Sequence, residues 1–133
     1  MSHTHTETEI PEAFTSVNRR YGNVEAGLEL PYVPRNRTNA SVGLTSAYWG
    51  VYLSRTYESR MRDKAGDGPI PEDEGTDEFT VLDVAGHDDL SSRLRLTGRI
   101  DNVPDVACVV ARRPFGARPG RPRAVQLGVT YRY

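Results

Sequence analysis

The chain has 133 residues, with 17 basic and 18 acidic side chains and a formal net charge of −1. That balance gives no electrostatic case for nucleic-acid binding. Hydrophobic residues make up 37% and mean hydropathy is −0.58, so no stretch approaches the ~18 consecutive apolar residues of a membrane-spanning helix. A membrane β-barrel stays open, because its strands show lipid only at every second residue and keep a low average hydropathy. The length suits one ordinary domain.

At the N-terminus, SHTHTETE follows Met1 without the basic start or apolar run of a signal peptide. An exported protein therefore lacks its export signal in this chain, or the chain belongs to something longer. Residues 2–9 alternate with Thr4, Thr6 and Thr8 on one side, and threonine is a good strand former, so a strand is expected. His3 is third from the amine, a position that can bind Cu²⁺ or Ni²⁺; a polar strand or frayed end is the plainer reading, and no metal site is assigned. Gly, Asn and Pro over residues 14–37 predict a long loop.

In residues 38–45, Ala40, Val42 and Leu44 alternate with Asn39, Ser41, Gly43 and Thr45. Period 2 marks a strand with one apolar face. A short link at 46–50 follows, and Val51, Leu53 and Tyr57 then share a face opposite Tyr52, Ser54 and Thr56. So short a connection predicts an antiparallel hairpin. Residues 60–78 hold Gly66, Gly68, Pro69, Pro71, Gly75 and the acidic run Glu72, Asp73, Glu74. This predicts a long, solvated polar loop, without the spacing of an EF-hand.

Residues 79–86 resume strand character, and His87, Asp88 and Asp89 predict a short polar turn. The arrangement resembles a base beside an orienting carboxylate, but no nucleophile is tied to it. In residues 93–100, Leu94, Leu96 and Ile100 oppose Arg93, Arg95, Thr97 and Arg99. Residues 102–123 form a second long loop rich in Pro, Gly and Arg. Its Cys108 is the one cysteine and reads as a small apolar residue. The final strand, 123–133, puts Val125, Leu127, Val129, Tyr131 and Tyr133 on one side. Ala124, Gln126, Gly128, Thr130 and Arg132 take the other. No nucleophile elbow, P-loop or dinucleotide fingerprint occurs, so neither an enzyme nor a cofactor is expected.

The pattern predicts an all-β fold, an antiparallel meander of about six strands whose connections alternate long and short, as in an outer-membrane barrel. Polar faces that combine small residues with arginines suit a water-filled lumen. Tyr48 and Trp49 beside a short turn, and Tyr131 and Tyr133 at the chain end, suit an interfacial aromatic belt. A soluble β-sandwich also alternates, and loops this long are unusual in one of this size.

Four segments carry a resemblance: LELPYVPRNRTNASVGL at 28–44, TVLDVAG at 80–86, RLRLTGRIDNV at 93–103 and RRPFGARPGRPRAVQLGVTYRY at 112–133. In order and spacing they resemble the C-terminal end of a TonB-dependent outer-membrane receptor, and RRPFGARPG is most similar to receptors for ferric citrate and related ferric siderophores. Val103, Pro104 and Cys108 depart from the family, which has large apolar or aromatic residues there, so a less well packed turn is expected after Asn102.

The resemblance implies residues 1–133 as part of a receptor β-barrel, with the plug domain and earlier strands absent and transport competence absent from the isolated chain. It implies a Gram-negative outer-membrane location, contact with lipid and lipopolysaccharide, recognition by the barrel-assembly machinery through the terminal aromatic strand, and an iron-chelate ligand. A TonB complex would be a partner of the full-length parent. Arg112, Arg113 and Arg118, with Arg121 and Arg123, make the last loop basic. They are the candidates for binding an anionic ferric chelate; the alternative is pairing with lipopolysaccharide phosphates or with acidic loops such as 72–74. Two other readings compete: a small structural or adhesive outer-membrane barrel, and a soluble ligand-binding β-domain.

Overall fold

The computed structural model describes residues 1–18, 21–113 and 116–133. Its framework is one antiparallel sheet of six strands: β1 (Ser2–His5), β4 (Asn36–Thr45), β5 (Trp49–Glu58), β6 (Phe79–Asp89), β7 (Leu94–Asp101) and β10 (Ala124–Tyr131), adjacent in that order. Four short strands lie within its connections. These are β2 (Phe14–Thr15) paired with β3 (Asn23–Val24), and β8 (Val109–Ala111) paired with β9 (Arg118–Pro119). Each strand of the main sheet pairs with its sequence neighbour in that sheet, so the fold is the all-β meander the periodicity predicts. Its two edges are β1 and β10.

The connections fall into two kinds. Residues 46–48 and 90–93 make tight turns at one end, closed by Ser46 N–H to the Trp49 carbonyl at 2.7 Å and by the Ser91–Leu94 pair at 3.3 Å. Segments 6–35, 59–78 and 102–123 stand together at the other end. Strand order and register thus separate a tight-turn end from a long-loop end.

Several boundaries differ from the sequence reading. The turn placed at His87, Asp88 and Asp89 is strand: they pair with Gly50, Trp49 and, through Asp89, Arg95. Partners on both sides outweigh the weak strand preference of Asp, and the turn moves on to 90–93. The N-terminal strand stops at His5, because β4 offers it only Asn36 to Asn39. The loops at 14–37 and 102–123 carry the β2–β3 and β8–β9 ladders. The loop at 60–78 is not simply solvated: Met61, Arg62, Asp63 and Thr76 are buried.

The core is in an unexpected place. Among the described residues, the buried hydrophobic side chains are Ile10, Val24, Met61 and Cys108, and none belongs to a strand of the main sheet. The long loops pack against one another and form a cap; among the described residues, the sheet carries no second layer on its apolar face.

Candidate functional site

Cross-strand register builds the apolar face row by row. One row runs Val42, Leu53, Val84, Ile100, Val125 across β4 to β10; the next runs Leu44, Val51, Gly86, Gly98, Leu127. A third has Trp49, Asp88, Leu96 and Val129. Because side chains alternate strictly, matching the register of five strands places every apolar set on one side. That side is bare: Val42, Leu44, Val125, Leu127 and Val129 are 61–87% exposed. Contiguous apolar surface spread over five strands exceeds what a protein ordinarily leaves to water.

Aromatic and charged residues bound this face. Trp49 and Tyr131 lie at its tight-turn end, and the Tyr131 and Tyr133 rings meet edge to face at 5.6 Å. Tyr57, opposite Thr38 and Thr80, marks the long-loop end. Trp49 to Tyr57 is eight residue steps, about 26 Å along the strand at ~3.3 Å per step, of the same order as the ~25 Å apolar band of an outer-membrane barrel. Two charges share the face. Arg55 sits one pair from Tyr57, where a long side chain can carry its charge to an interface, and Asp88 sits in the Trp49 row.

The opposite face is polar and closely fitted. Tyr52 lies over Gly43, where an added Cβ would come 2.6 Å from the ring, and His87 lies over Gly50 in the same way at 2.7 Å. The Tyr52 and His87 rings stack at 6.4 Å. Glycines at 43 and 50 therefore let aromatic rings cover the backbone of the next strand. Ion pairs occupy the two ends of this face: Arg95 grips Asp89 with two bonds of 2.5 and 2.6 Å, and Arg99 donates to Asp101 at 2.6 Å. His87 is thus a packing residue on a strand.

No family model, curated protein or solved structure matches this chain.

The arginines of the last loop are built into the cap. Arg112 donates from Nε to the Gly75 carbonyl at 2.5 Å and from its terminal nitrogen to the Glu72 carbonyl at 3.2 Å. The backbone N–H groups of Arg112 and Arg113 share the Tyr32 hydroxyl at 3.2 and 3.0 Å. Arg113 Nε lies 3.0 Å from Asp63 Oδ2, but the angle is not that of a hydrogen bond, and Asp63 Oδ1 is buried without a partner; the contact is coulombic. Arg118 donates to the Arg113 carbonyl at 3.0 Å. These contacts join all three long loops. Pro114 and Phe115, which belong to the ferric-citrate-like segment, lie outside the described residues.

Other cap residues carry more than their sequence suggests. Asn102, fully buried and at φ 50, donates to the Val106 and Arg121 carbonyls at 3.0 and 2.9 Å. Its Oδ1 accepts from Val106 N–H at 2.9 Å. The turn expected to pack poorly is therefore clamped by its own asparagine. Asn tolerates the left-handed region and bonds locally, which is the one signal sequence reading could have used. Arg62 and Arg35 both bind Glu29, with Arg62 Nε at 2.8 Å. Desolvation raises the Glu29 pKa, but these two guanidinium groups outweigh it and hold the carboxyl below its usual range. Thr76 Oγ1, fully buried, accepts from Met61 N–H at 2.9 Å. Burial pushes the Cys108 thiol up, with Asp77 adding to the shift, so the thiol form is favoured and the residue behaves as a small apolar group. At the N-terminus, His3 bonds Thr38 and His5 bonds Asn36, both at 2.8 Å.

Proposed function

We propose that this chain is the C-terminal part of a transmembrane β-barrel domain, and that its parent is an outer-membrane receptor for TonB-dependent uptake of an iron chelate. One observation carries the membrane reading: a bare apolar face crosses five paired strands, aromatics bound it, and the buried core lies in the loops instead. A lipid layer against that face would remove the apolar surface from water, at roughly 25 cal/mol per Å². The polar face would then line the lumen and the cap would stand outside the bilayer.

The receptor, its chelate and its TonB partner are supported by the sequence resemblance. In this reading, Val125, Leu127, Val129, Tyr131 and Tyr133 meet lipid and present the terminal strand to the assembly machinery. The contacts of Arg112, Arg113 and Arg118 favour a structural role in the cap over first contact with a chelate. Arg118 is exposed and stays the best placed of the three for an anionic ligand.

The test is the behaviour of the purified chain with lipid. The expected result is partition into vesicles, with β-type circular dichroism and hydrogen-exchange protection across Ala124 to Tyr131. A monodisperse, soluble monomer in the absence of detergent would overturn the membrane reading.

A further inference from the structure

We propose that the hollow at the tight-turn end of the sheet binds a phosphate or phosphate ester through Arg93 and Arg132. The hollow measures about 470 Å³ and includes Tyr48, Leu90, Ser92, Arg93 and Arg132 in its lining. Arg132 continues the β7–β10 pairing beyond Tyr131: its N–H donates to the Arg93 carbonyl at 2.8 Å, which sets the two arginines directly opposite. Like charges in directly opposed positions are destabilising. Asp89 attracts Arg132 through space, but both of its oxygens are hydrogen-bonded to Arg95, so it leaves the two guanidinium groups without a direct partner. Among the described residues, neither the Arg93 nor the Arg132 guanidinium has an ion pair or a side-chain hydrogen bond.

Two planar guanidinium forks meeting one hollow match an oxyanion with several acceptor oxygens. A phosphate monoester, with about two negative charges at neutral pH, balances the two positive ones. The volume exceeds a bare phosphate, and Leu90 and Leu94 in the lining offer apolar surface to an organic substituent. A phospholipid headgroup, a phosphodiester with one negative charge, and a soluble phosphate share the oxyanion that the arginines would bind. The strands that form the hollow are those of the sheet itself, so the inference stands apart from the membrane reading.

The experiment uses the full chain in a non-ionic maltoside detergent. Inorganic phosphate is titrated at constant ionic strength by calorimetry and by the emission of Trp49. Saturable binding is expected. Arg93→Gln and Arg132→Gln should each weaken it about tenfold or more, Arg93→Lys less, and Arg37→Gln, at the long-loop end of β4, not at all, with circular dichroism verifying the sheet in each variant. Flotation with phosphatidylglycerol and with phosphatidylcholine vesicles separates the sources. Arginine-dependent preference for phosphatidylglycerol, competed by phosphate, supports a headgroup. Arginine-dependent phosphate binding without that preference supports a soluble phosphate. Absence of saturable phosphate binding, or unchanged affinity in the double Gln variant, overturns the proposal.

Discussion

The two ends of this molecule solve the same problem in opposite ways. The cap buries Ile10, Val24, Met61 and Cys108 among polar residues that bond one another, with Asp63 Oδ1 and Arg113 Nε the exceptions among the described residues. The sheet satisfies its backbone through strand ladders and leaves its apolar side chains uncovered. The cap therefore contains its own solvent-excluded interior, and the sheet's apolar face has none among the described residues. Stability in water and stability in lipid should accordingly be governed by different residues.

The largest expected effect comes from charging the bare face. On the proposed membrane reading, Leu127→Arg should destabilise the chain by about 2–4 kcal/mol when it is folded in bilayers, the cost of an arginine on a lipid-facing barrel position near the midplane. Gln126→Lys, one residue away on the polar face, should stay within ~0.5 kcal/mol. Urea titrations in lipid vesicles give both values, and equal costs for the two substitutions would dissolve the contrast between the faces.

Next in size is the clamp of the cap. Asn102→Ala removes a buried side chain with three hydrogen bonds and should cost about 2–3 kcal/mol, since the Val106 and Arg121 groups are left unpaired. The loss should be confined to the cap. Limited proteolysis is expected to cut residues 102–123 much faster, while β5 to β7 keep their exchange protection. Uniform loss of protection would mean that cap and sheet unfold as one unit.

The smallest effect is that of pH on the same region. Glu29 has its pKa lowered in the folded cap from an ordinary value of 4.5. A depressed carboxyl binds protons more weakly folded than unfolded, so its contribution is fully present above that value and is lost as pH falls through the folded one. Hydrogen exchange in the cap should be level in protection from neutral pH to about 5 and weaken below 4.5. Glu29→Gln should flatten that acid limb. An unchanged limb in the variant would assign it to other carboxylates.

The comparison also separates what could be read early from what could not. Alternation at 38–45, 51–57, 93–100 and 123–133 predicts strands directly, since period 2 is a property of neighbours along the chain, although the last one spans only Ala124–Tyr131. The same alternation names the apolar side of each strand, and two tight turns against three long segments follow from Gly, Pro and polar clusters. Residues 87–89 are strand and not the expected turn, because partners on both sides stabilise them, which the local sequence does not contain. The clamp at Asn102, the Asp63–Arg113 contact and the anchoring of Arg112 were hidden for the same reason.

By itself, then, the sequence determined the strands, their faces and the alternation of short and long connections, because each depends on residues a few positions apart. Only the tertiary structure decided the register that merges five apolar stripes into one face. It also decided the position of the core in the loops, and the pairing that leaves Arg93 and Arg132 opposed. Those features are made by residues far apart in the chain: Arg132 with Arg93 in the sheet, and Tyr32 with Arg112, 80 residues apart, in the cap. Such contacts are absent from any local stretch of sequence.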